Sequence, residues 1–368
     1  MKVGILTYHR SHNYGTMLQA AALWHAVSRM GHETFFVDYW PDHQRKMYAI
    51  FPSSDFLRAT WRNRARIVKS FCKTLGPKLA RRLQFFRFFA SEIKPHLAPP
   101  SMPFDVIVYG SDQIWRRQPH DRRRYNPVYF GQDPFQAKWR IAYAASMGDL
   151  PMDSNETNEL TRYFRGLDRI SVRESDLRDF ILNLGLFAEQ TIDPVFLLSP
   201  SFWKDLAGNT PIVRHPYLLH YDLQRNSFDD TSIRQIAAKH NLEIVKIYGT
   251  AFHSPRENER TTDGPYQFLN LVRHAELVAT SSFHGLAFSL MFKRPFWASF
   301  LSRGGRATSL LESVGLENRM LEPRTQLPDR IPEIDWDAAF RRIDAQKTQS
   351  LLWLKSAISS CEVLEVGS

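Results

Sequence analysis

The sequence predicts an α/β protein of two Rossmann-like lobes facing a cleft. Short apolar runs alternate with helical stretches from Val3 onward, the pattern of a parallel sheet fed by crossover helices. The alternation breaks near 195–215, where Pro194 and Pro200 each prevent regular structure from running through, and then resumes. At 368 residues the chain is long enough for two domains of ordinary size, each with its own core. The expected division is 1–200 for an N-terminal lobe and 201–368 for a C-terminal one.

In chain order, Val3–Tyr8 reads as a strand, His9–Thr16 as a polar turn and Met17–Met30 as a helix capped by Gly31. Glu33–Asp38 completes a βαβ unit, which favours parallel pairing. Residues 41–100 read as a mostly helical insert ending at Pro99-Pro100. Strands at Phe104–Tyr109 and Arg140–Ala145 follow, then a helix over Asn155–Leu167 and strands at Arg169–Val172 and Glu189–Ile192. The second round has strands at Tyr217–Tyr221, Glu243–Tyr248, Leu277–Ala279 and Phe296–Phe300. Its helices are Ser232–His240, Tyr266–His274, Leu286–Lys293, Thr308–Val314 and Ala345–Ile358, the last able to pack back on the first lobe.

Charge is concentrated. Residues 41–100 hold thirteen Lys/Arg against Asp42, Asp55 and Glu92, a surplus that equals the whole net charge of +10. Trp61, Phe71, Phe85, Phe86, Phe88 and Phe89 are interleaved with them. Such a segment suits an anionic membrane surface or a solvated helical face; a nucleic-acid partner is not expected, because no recognised binding motif accompanies the charge. Arg116, Arg117, Arg122, Arg123 and Arg124 form a second cluster. Cys72 and Cys361 have no metal-like spacing, which predicts free thiols in a reducing compartment. No apolar run reaches 18 residues, and the N-terminus reads as a strand rather than a signal peptide, so the expected location is cytoplasmic, with peripheral contact at the membrane's inner face possible. GxGxxG, GxxxxGK[ST] and paired CxxC motifs are missing.

The stretch Ala275–Phe296 carries the densest signal. A buried strand, the polar turn Thr280-Ser281-Ser282 and a helix start are how an α/β sheet builds an anion site. His284 offers a proton near neutral pH; alternatively, it caps an ordinary βα loop. Polar turns also close several first-lobe strands, at His9–Thr16, Gly110–Trp115 and Ser146–Gly148.

Five stretches in order, YHRSHNYGTMLQAAAL, VIVYGSDQIW, ISVRES, TIDPVFLL and VATSSFHGLAFSLMFKRPF, together resemble the polysaccharide pyruvyl transferases. The resemblance spans roughly residues 3 to 320 and implies a fold similar to B-type glycosyltransferases. It implies transfer of a pyruvyl group from phosphoenolpyruvate to a sugar of a bacterial surface glycan or lipid-linked precursor, usually as a cyclic ketal. Phosphoenolpyruvate is then a donor substrate, with no cofactor and no metal required. The resemblance makes His284 a general acid and Arg173 a holder of the donor's phosphate or carboxylate, with Ser281, Ser282, Phe283 and Gly285 around it. Better-known members carry arginine where this chain has Ser282, so the second cation is open among Arg303, Arg306, Arg10 and Lys246. Asn13, Tyr14 and Gly15 match a family turn expected to line the cleft. Ser111, Gln113 and Trp115 suit an acceptor sugar. Asp112 is the first candidate base and Asp193 the second; either also reads as a structural cap. A glycosyltransferase using a nucleotide sugar is the alternative, since the same turn would hold a diphosphate.

Overall fold

A computed structural model describes the chain except residues 51–52, 100, 119–123, 133, 152, 225–226, 250–258, 302–304 and 367–368. Among the described residues the N-terminal lobe carries a seven-stranded sheet. Its spatial order is Leu97–Ala98, Glu33–Val37, Lys2–Leu6, Phe104–Gly110, Ala137–Ala145, Arg169–Val172 and Glu189–Gln190, with every pairing parallel. The C-terminal lobe carries six strands in the order Glu259–Arg260, Glu243–Ile247, Tyr217–Tyr221, Leu277–Thr280, Phe296–Ser299 and Met320–Leu321, again all parallel. Tyr217–Tyr221 and Leu277–Thr280 are buried along their whole length, which is why they read as short apolar runs.

In each sheet the strand order reverses once, and ligands bind open α/β sheets beyond the strand ends at such a switch point. One reversal lies between Lys2–Leu6 and Phe104–Gly110, the other between Tyr217–Tyr221 and Leu277–Thr280. The polar turns after Lys2–Leu6, Phe104–Gly110 and Leu277–Thr280 are those singled out in the sequence; the one after Tyr217–Tyr221 is not.

Some boundaries move, for identifiable reasons. The helix expected from Leu286 spans Phe283–Met291, because Ser282 caps it by accepting the Gly285 N–H at 3.3 Å. His284 is therefore the second helical residue, not part of the preceding turn. Likewise Asn13 caps a helix over Tyr14–Ser28, its Oδ1 accepting the Thr16 N–H at 3.3 Å. Pro200 does not break structure but starts the helix Pro200–Ala207, at a position where a missing N–H is harmless. The helix Ser175–Asn183 and the edge strands Leu97–Ala98, Glu259–Arg260 and Met320–Leu321 have no counterpart in the sequence pattern, the strand expected over Glu189–Ile192 shortens to Glu189–Gln190, and the last helix runs from Trp336 to Val366.

The two expected separate cores exist only on the outer faces of the sheets. The inner faces merge: one apolar cluster joins Val3, Leu18 and Val108 of the first lobe to Phe268, Leu286 and Ala298 of the second. Tyr14 stacks on Phe268 across this junction, with ring centroids 4.9 Å apart and planes 3° from parallel. The basic insert is anchored there too. Its long helix, Trp61–Phe88, sends the buried Arg81 between the lobes. Arg81 donates to the Tyr14 hydroxyl at 2.8 Å and to the His12 carbonyl at 3.2 Å on one side, and on the other to the carbonyls of Gly249 at 2.8 Å and Thr261 at 3.2 Å. Its guanidinium also lies 4.8 Å from the Tyr14 ring.

A buried cation held by carbonyls and a phenol leaves several acceptors bare when removed. Arg81→Met is expected to lower unfolding stability by about 2–4 kcal/mol, read as the midpoint shift in urea denaturation. An unchanged midpoint would show that the junction does not depend on it.

Candidate active site

The two switch points enclose a cavity of about 430 Å³. The first lobe contributes Asn13, Thr16, Asp112 and Arg116; the second contributes Ser281, Phe283, His284 and Arg306. Asp112 follows the strand Phe104–Gly110 on a strained backbone: φ is +30° at Ser111 and +70° at Asp112, a region costly for residues with a Cβ. That bend turns the Asp112 carboxylate toward the cavity. Its Oδ2 accepts from the Thr16 hydroxyl at 2.5 Å and its Oδ1 from the Gln113 N–H at 2.8 Å.

On the opposite wall the first turn of Phe283–Met291 faces the cavity. Ser282 takes the Gly285 N–H, whereas the Phe283 and His284 N–H groups have no intrahelical carbonyl to reach. These donors and the helix dipole form an anion-binding surface. His284 is fixed from two sides. A Cβ added at Gly15 would lie 1.9 Å from its Nδ1, so the imidazole packs directly on the start of Tyr14–Ser28. Its Nε2 lies 3.6 Å from Asp193 Oδ2.

Asp193 is almost completely buried and shares that oxygen with Arg173, whose Nη1 is 2.9 Å away. Burial alone would raise the Asp193 pKa, but Arg173 and His284 outweigh it and hold the group down at about 2. Arg173 also donates from Nη2 to the Ser111 hydroxyl. Glu174, next in sequence, accepts from the Ser146 hydroxyl and lies 3.8 Å from Arg306 Nε; its burial pushes its pKa up. Both guanidinium groups, of Arg173 and Arg306, sit over the Phe283 ring, at 4.8 and 5.6 Å. Arg173 Nε and Nη1, Asp193 Oδ2 and His284 Nε2 are all buried with no hydrogen bond of ordinary geometry. Nη1, Oδ2 and Nε2 meet one another instead as charge contacts, through the shared Asp193 oxygen.

Several expectations need correcting. Trp115 offers no face to a sugar: it is fully buried, stacked 5.3 Å from Phe130, and its indole N–H donates to the Tyr129 carbonyl. Tyr14 belongs to the lobe junction, not the cleft wall, and Gly15 supports His284. Ser111 is buried and engaged by Arg173. The Ser281 hydroxyl donates to Asp222 Oδ1 at 2.6 Å, and Ser282 and Gly285 bond to each other in the cap, so none of the three presents a free group to an anion. Gly285 is required for packing, since a Cβ there would lie 2.3 Å from Thr280 Oγ1. Asp193, held ionised by its neighbours, is a poor base and suits positioning. Arg173 lies behind Phe283, on a second chamber, instead of on the cleft cavity. Arg10 is held by Asp38 and Lys246 by Asp230, which removes both as substitute cations. Arg303 lies outside the described residues; Arg306 faces the cavity, as do Asn13 and Gln113.

The sequence reading assigned no role to Thr16, Arg116 or Glu174. Thr16 stands three residues after Asn13, one helical turn on, and Glu174 adjoins Arg173. Those spacings, and for Arg116 its place in the second basic cluster, are the only sequence signals for them.

The polysaccharide pyruvyl transferase family model matches residues 13–299. No curated protein sequence matches the chain. Among solved structures, UDP-N-acetylglucosamine 2-epimerase from Rickettsia bellii is similar at a TM-score of 0.51 and 10% identity, covering 99% of this chain and 97% of that one. A glycosyltransferase from Rickettsia africae gives a TM-score of 0.45 at 8% identity, over 98% and 97%. The fold is thus GT-B-like, two parallel-sheet α/β domains about a cleft.

Two outcomes follow from this geometry. Gly15→Ala favours helix propensity by roughly 1 kcal/mol, yet the new Cβ must displace the His284 ring. A shifted His284 imidazole resonance in two-dimensional NMR is expected, and an unmoved one would contradict the packing. For Asp193 the folded pKa, about 2, lies below its ordinary 3.8, so its contribution is complete above pH 3.8 and is lost as pH falls toward 2. Asp193→Asn leaves Arg173 buried and unpaired, costing about 3–5 kcal/mol at neutral pH, and flattens the acid limb of stability measured by denaturant titration at several pH values.

Proposed function

Because the chain belongs to the polysaccharide pyruvyl transferase family, we propose that it moves the pyruvyl group of phosphoenolpyruvate onto two hydroxyls of a surface glycan or its lipid-linked precursor. The supporting observation is the meeting of Arg173, Asp193 and His284, from three separate sequence stretches, in one buried charged contact beside an anion-ready helix start.

The chemistry assigns each group a task. The donor's methylene carbon takes a proton from His284, leaving an oxocarbenium-like centre. One sugar hydroxyl oxygen bonds to that centre, the carbon that carries the carboxylate and the phosphate, and its C–O bond to phosphate breaks with the electron pair on phosphate. The second hydroxyl closes the ketal. Of the two hydroxyl protons, one restores His284 and the other departs with phosphate. The Phe283 and His284 N–H groups, Arg306 and Arg116 neutralise the donor's anionic groups, and Asp112 takes up the second hydroxyl proton across the cleft and hands it to the departing phosphate. Arg173 and Asp193 keep His284 oriented.

The basic insert supports a working position at an anionic membrane. The helix Trp61–Phe88 contains no acidic residue. Only Thr74, Arg81, Phe85 and Phe88 are buried, while Trp61, Val68, Leu79, Leu83 and Phe86 are exposed among its Lys and Arg side chains. An exposed face mixing large apolar and basic groups fits the boundary of an anionic bilayer. Among the described residues no helix is long and apolar enough to cross a membrane.

Purified protein with phosphoenolpyruvate and a glycan pool is expected to release phosphate and add pyruvate mass to the glycan. Stabilisation by a nucleotide sugar and not by phosphoenolpyruvate would sink the reading in favour of a glycosyltransferase. His284→Ala should lower turnover by about 10²–10⁴ with little change in donor affinity, whereas Arg306→Ala should weaken donor binding by about tenfold or more. Sedimentation with vesicles about one-third phosphatidylserine should retain the protein at low salt and release it at high salt; equal retention on neutral vesicles would refute the electrostatic attachment.

A further inference from the structure

The helix Trp61–Phe88 has two faces with apolar residues, and the lobe junction uses only one. Thr74, Arg81, Phe85 and Phe88 are buried on that side. Trp61, Val68, Cys72, Leu79, Leu83 and Phe86 are exposed and recur at helical spacing, a second stripe roughly 150° around the helix from the first. Basic residues border this stripe on both sides: Arg62, Lys69, Lys73 and Arg87 along one edge, Lys78 and Arg82 along the other. A second copy of the chain would meet like charge on both edges, whereas an anionic bilayer meets opposite charge. With the stripe in the acyl region, both edges stand at the level of the headgroup phosphates.

The edges differ. Arg62, Lys69, Lys73 and Arg87 are exposed, whereas Arg82 borders two hollows of about 210 and 180 Å³ that share it and His12; Lys78 borders the smaller. Several wall residues are already engaged. Arg10 is held by Asp38 and lies over the Trp40 and Phe89 rings, the Ser11 and Tyr48 hydroxyls are hydrogen-bonded, and Phe85 stacks on Tyr14. Lys78 and Arg82 are not: neither has an ion-pair or hydrogen-bond partner among the described residues. The Trp40 indole N–H, on the larger hollow, is buried without an acceptor. Burial and the neighbouring Arg81 and Arg82 push the His12 pKa down to about 4, which leaves that imidazole neutral at pH 7. An anion at Arg82 therefore meets uncompensated positive charge. Each hollow is smaller than the usual small-molecule pocket, which suits a headgroup rather than a whole ligand.

We propose that the Lys78–Arg82 edge is a headgroup site for one anionic phospholipid, its phosphodiester on the two cations and its acyl chains along Leu79, Leu83 and Phe86. The proposal rests on the membrane reading and adds to it a single site on one edge; the lipid is an anchor and takes no part in the transfer. The test uses the full chain and monomeric dihexanoylphosphatidylglycerol, below its micelle concentration, in calorimetry. One lipid per chain should bind. Lys78→Gln with Arg82→Gln should weaken it about tenfold or more, whereas Lys69→Gln with Lys73→Gln, which removes equal charge from the opposite edge, should leave it unchanged. Circular dichroism checks that each pair keeps the fold. Cys72 is exposed and Cys361 buried, so an environment-sensitive fluorophore on Cys72 should shift to blue on phosphatidylglycerol vesicles; unshifted emission would put the stripe outside the bilayer. The inference is overturned if no monomeric lipid binds, if both pairs of substitutions lose affinity equally, or if dihexanoylphosphatidylcholine binds as tightly. It is overturned too if inorganic phosphate displaces the lipid at equal concentration, which would assign the edge to free phosphate. Vesicle binding without monomer binding would leave only diffuse attachment and sink the site. Monomer binding lost with Arg82, but no vesicle binding, would overturn the membrane reading while the phosphodiester site stands.

Discussion

A guanidinium that keeps only 3% of its side-chain surface must be neutralised where it lies, and Arg173 meets that demand with Asp193. The pairing is set by sheet register. Val172 pairs with Gln190 in adjacent parallel strands, so the residues that leave those strands, 173 on one and 191–193 on the other, emerge side by side. The carboxylate so placed also faces His284 from the other lobe. One charge contact thus ties the edge of the first sheet to the cleft wall of the second, and the position of the proposed acid depends on how the lobes are assembled.

That assembly is asymmetric. Below the cleft the lobes share an apolar cluster closed by the Tyr14–Phe268 stack and the Arg81 contacts; above it the facing surfaces are polar. The first turn of Tyr14–Ser28 serves both. With about 100° between successive helical residues, Tyr14 points into the junction, Gly15 abuts His284 and Thr16 reaches Asp112. Asn13 caps the turn and lines the cavity. Four consecutive residues hold four different positions, and a side chain at Gly15 would disturb the cleft while leaving the junction's own contacts untouched.

The alternation of strands and helices was legible because central parallel strands are buried on both faces and so appear as short apolar runs between polar turns. Leu277–Thr280 and Tyr217–Tyr221 are examples. Two-residue edge strands such as Leu97–Ala98 carry too few residues to show a period, and Pro200 misled because proline at a helix start and proline in a break look alike. Polar turns marked the strand ends that border the cleft cavity, but composition does not say which way a side chain faces. Trp115 sits in a sugar-friendly string and is buried; Ser281 and Ser282 look like phosphate ligands, but the first bonds to Asp222 and the second is a helix cap. Thr16, Arg116 and Glu174 were the reverse case, since their place depends on contacts distant in sequence. The shared inner core was invisible for the same reason.

Ser282 is the position where a charge was expected, and its structural role explains how the site does without one there. As N-cap, Ser282 starts the helix at Phe283, three residues earlier than the apolar run alone indicates, and that shift brings the Phe283 and His284 N–H groups and the helix dipole to the cavity. A full positive charge reaches the cavity from a different element. Arg306, on the first turn of Gly305–Val314, extends over the Phe283 ring and is steadied by the buried Glu174 at 3.8 Å. Glu174 belongs to the same segment as Arg173, so the two guanidinium groups over Phe283 are positioned by one short stretch of the first lobe: Arg173 as part of it, Arg306 held by it. An arginine at 282 would place its charge at the helix start, whereas this chain places it on a neighbouring helix whose position depends on the first lobe. Charge at the cavity is therefore contingent on the lobes being correctly joined, as the orientation of His284 is through Asp193.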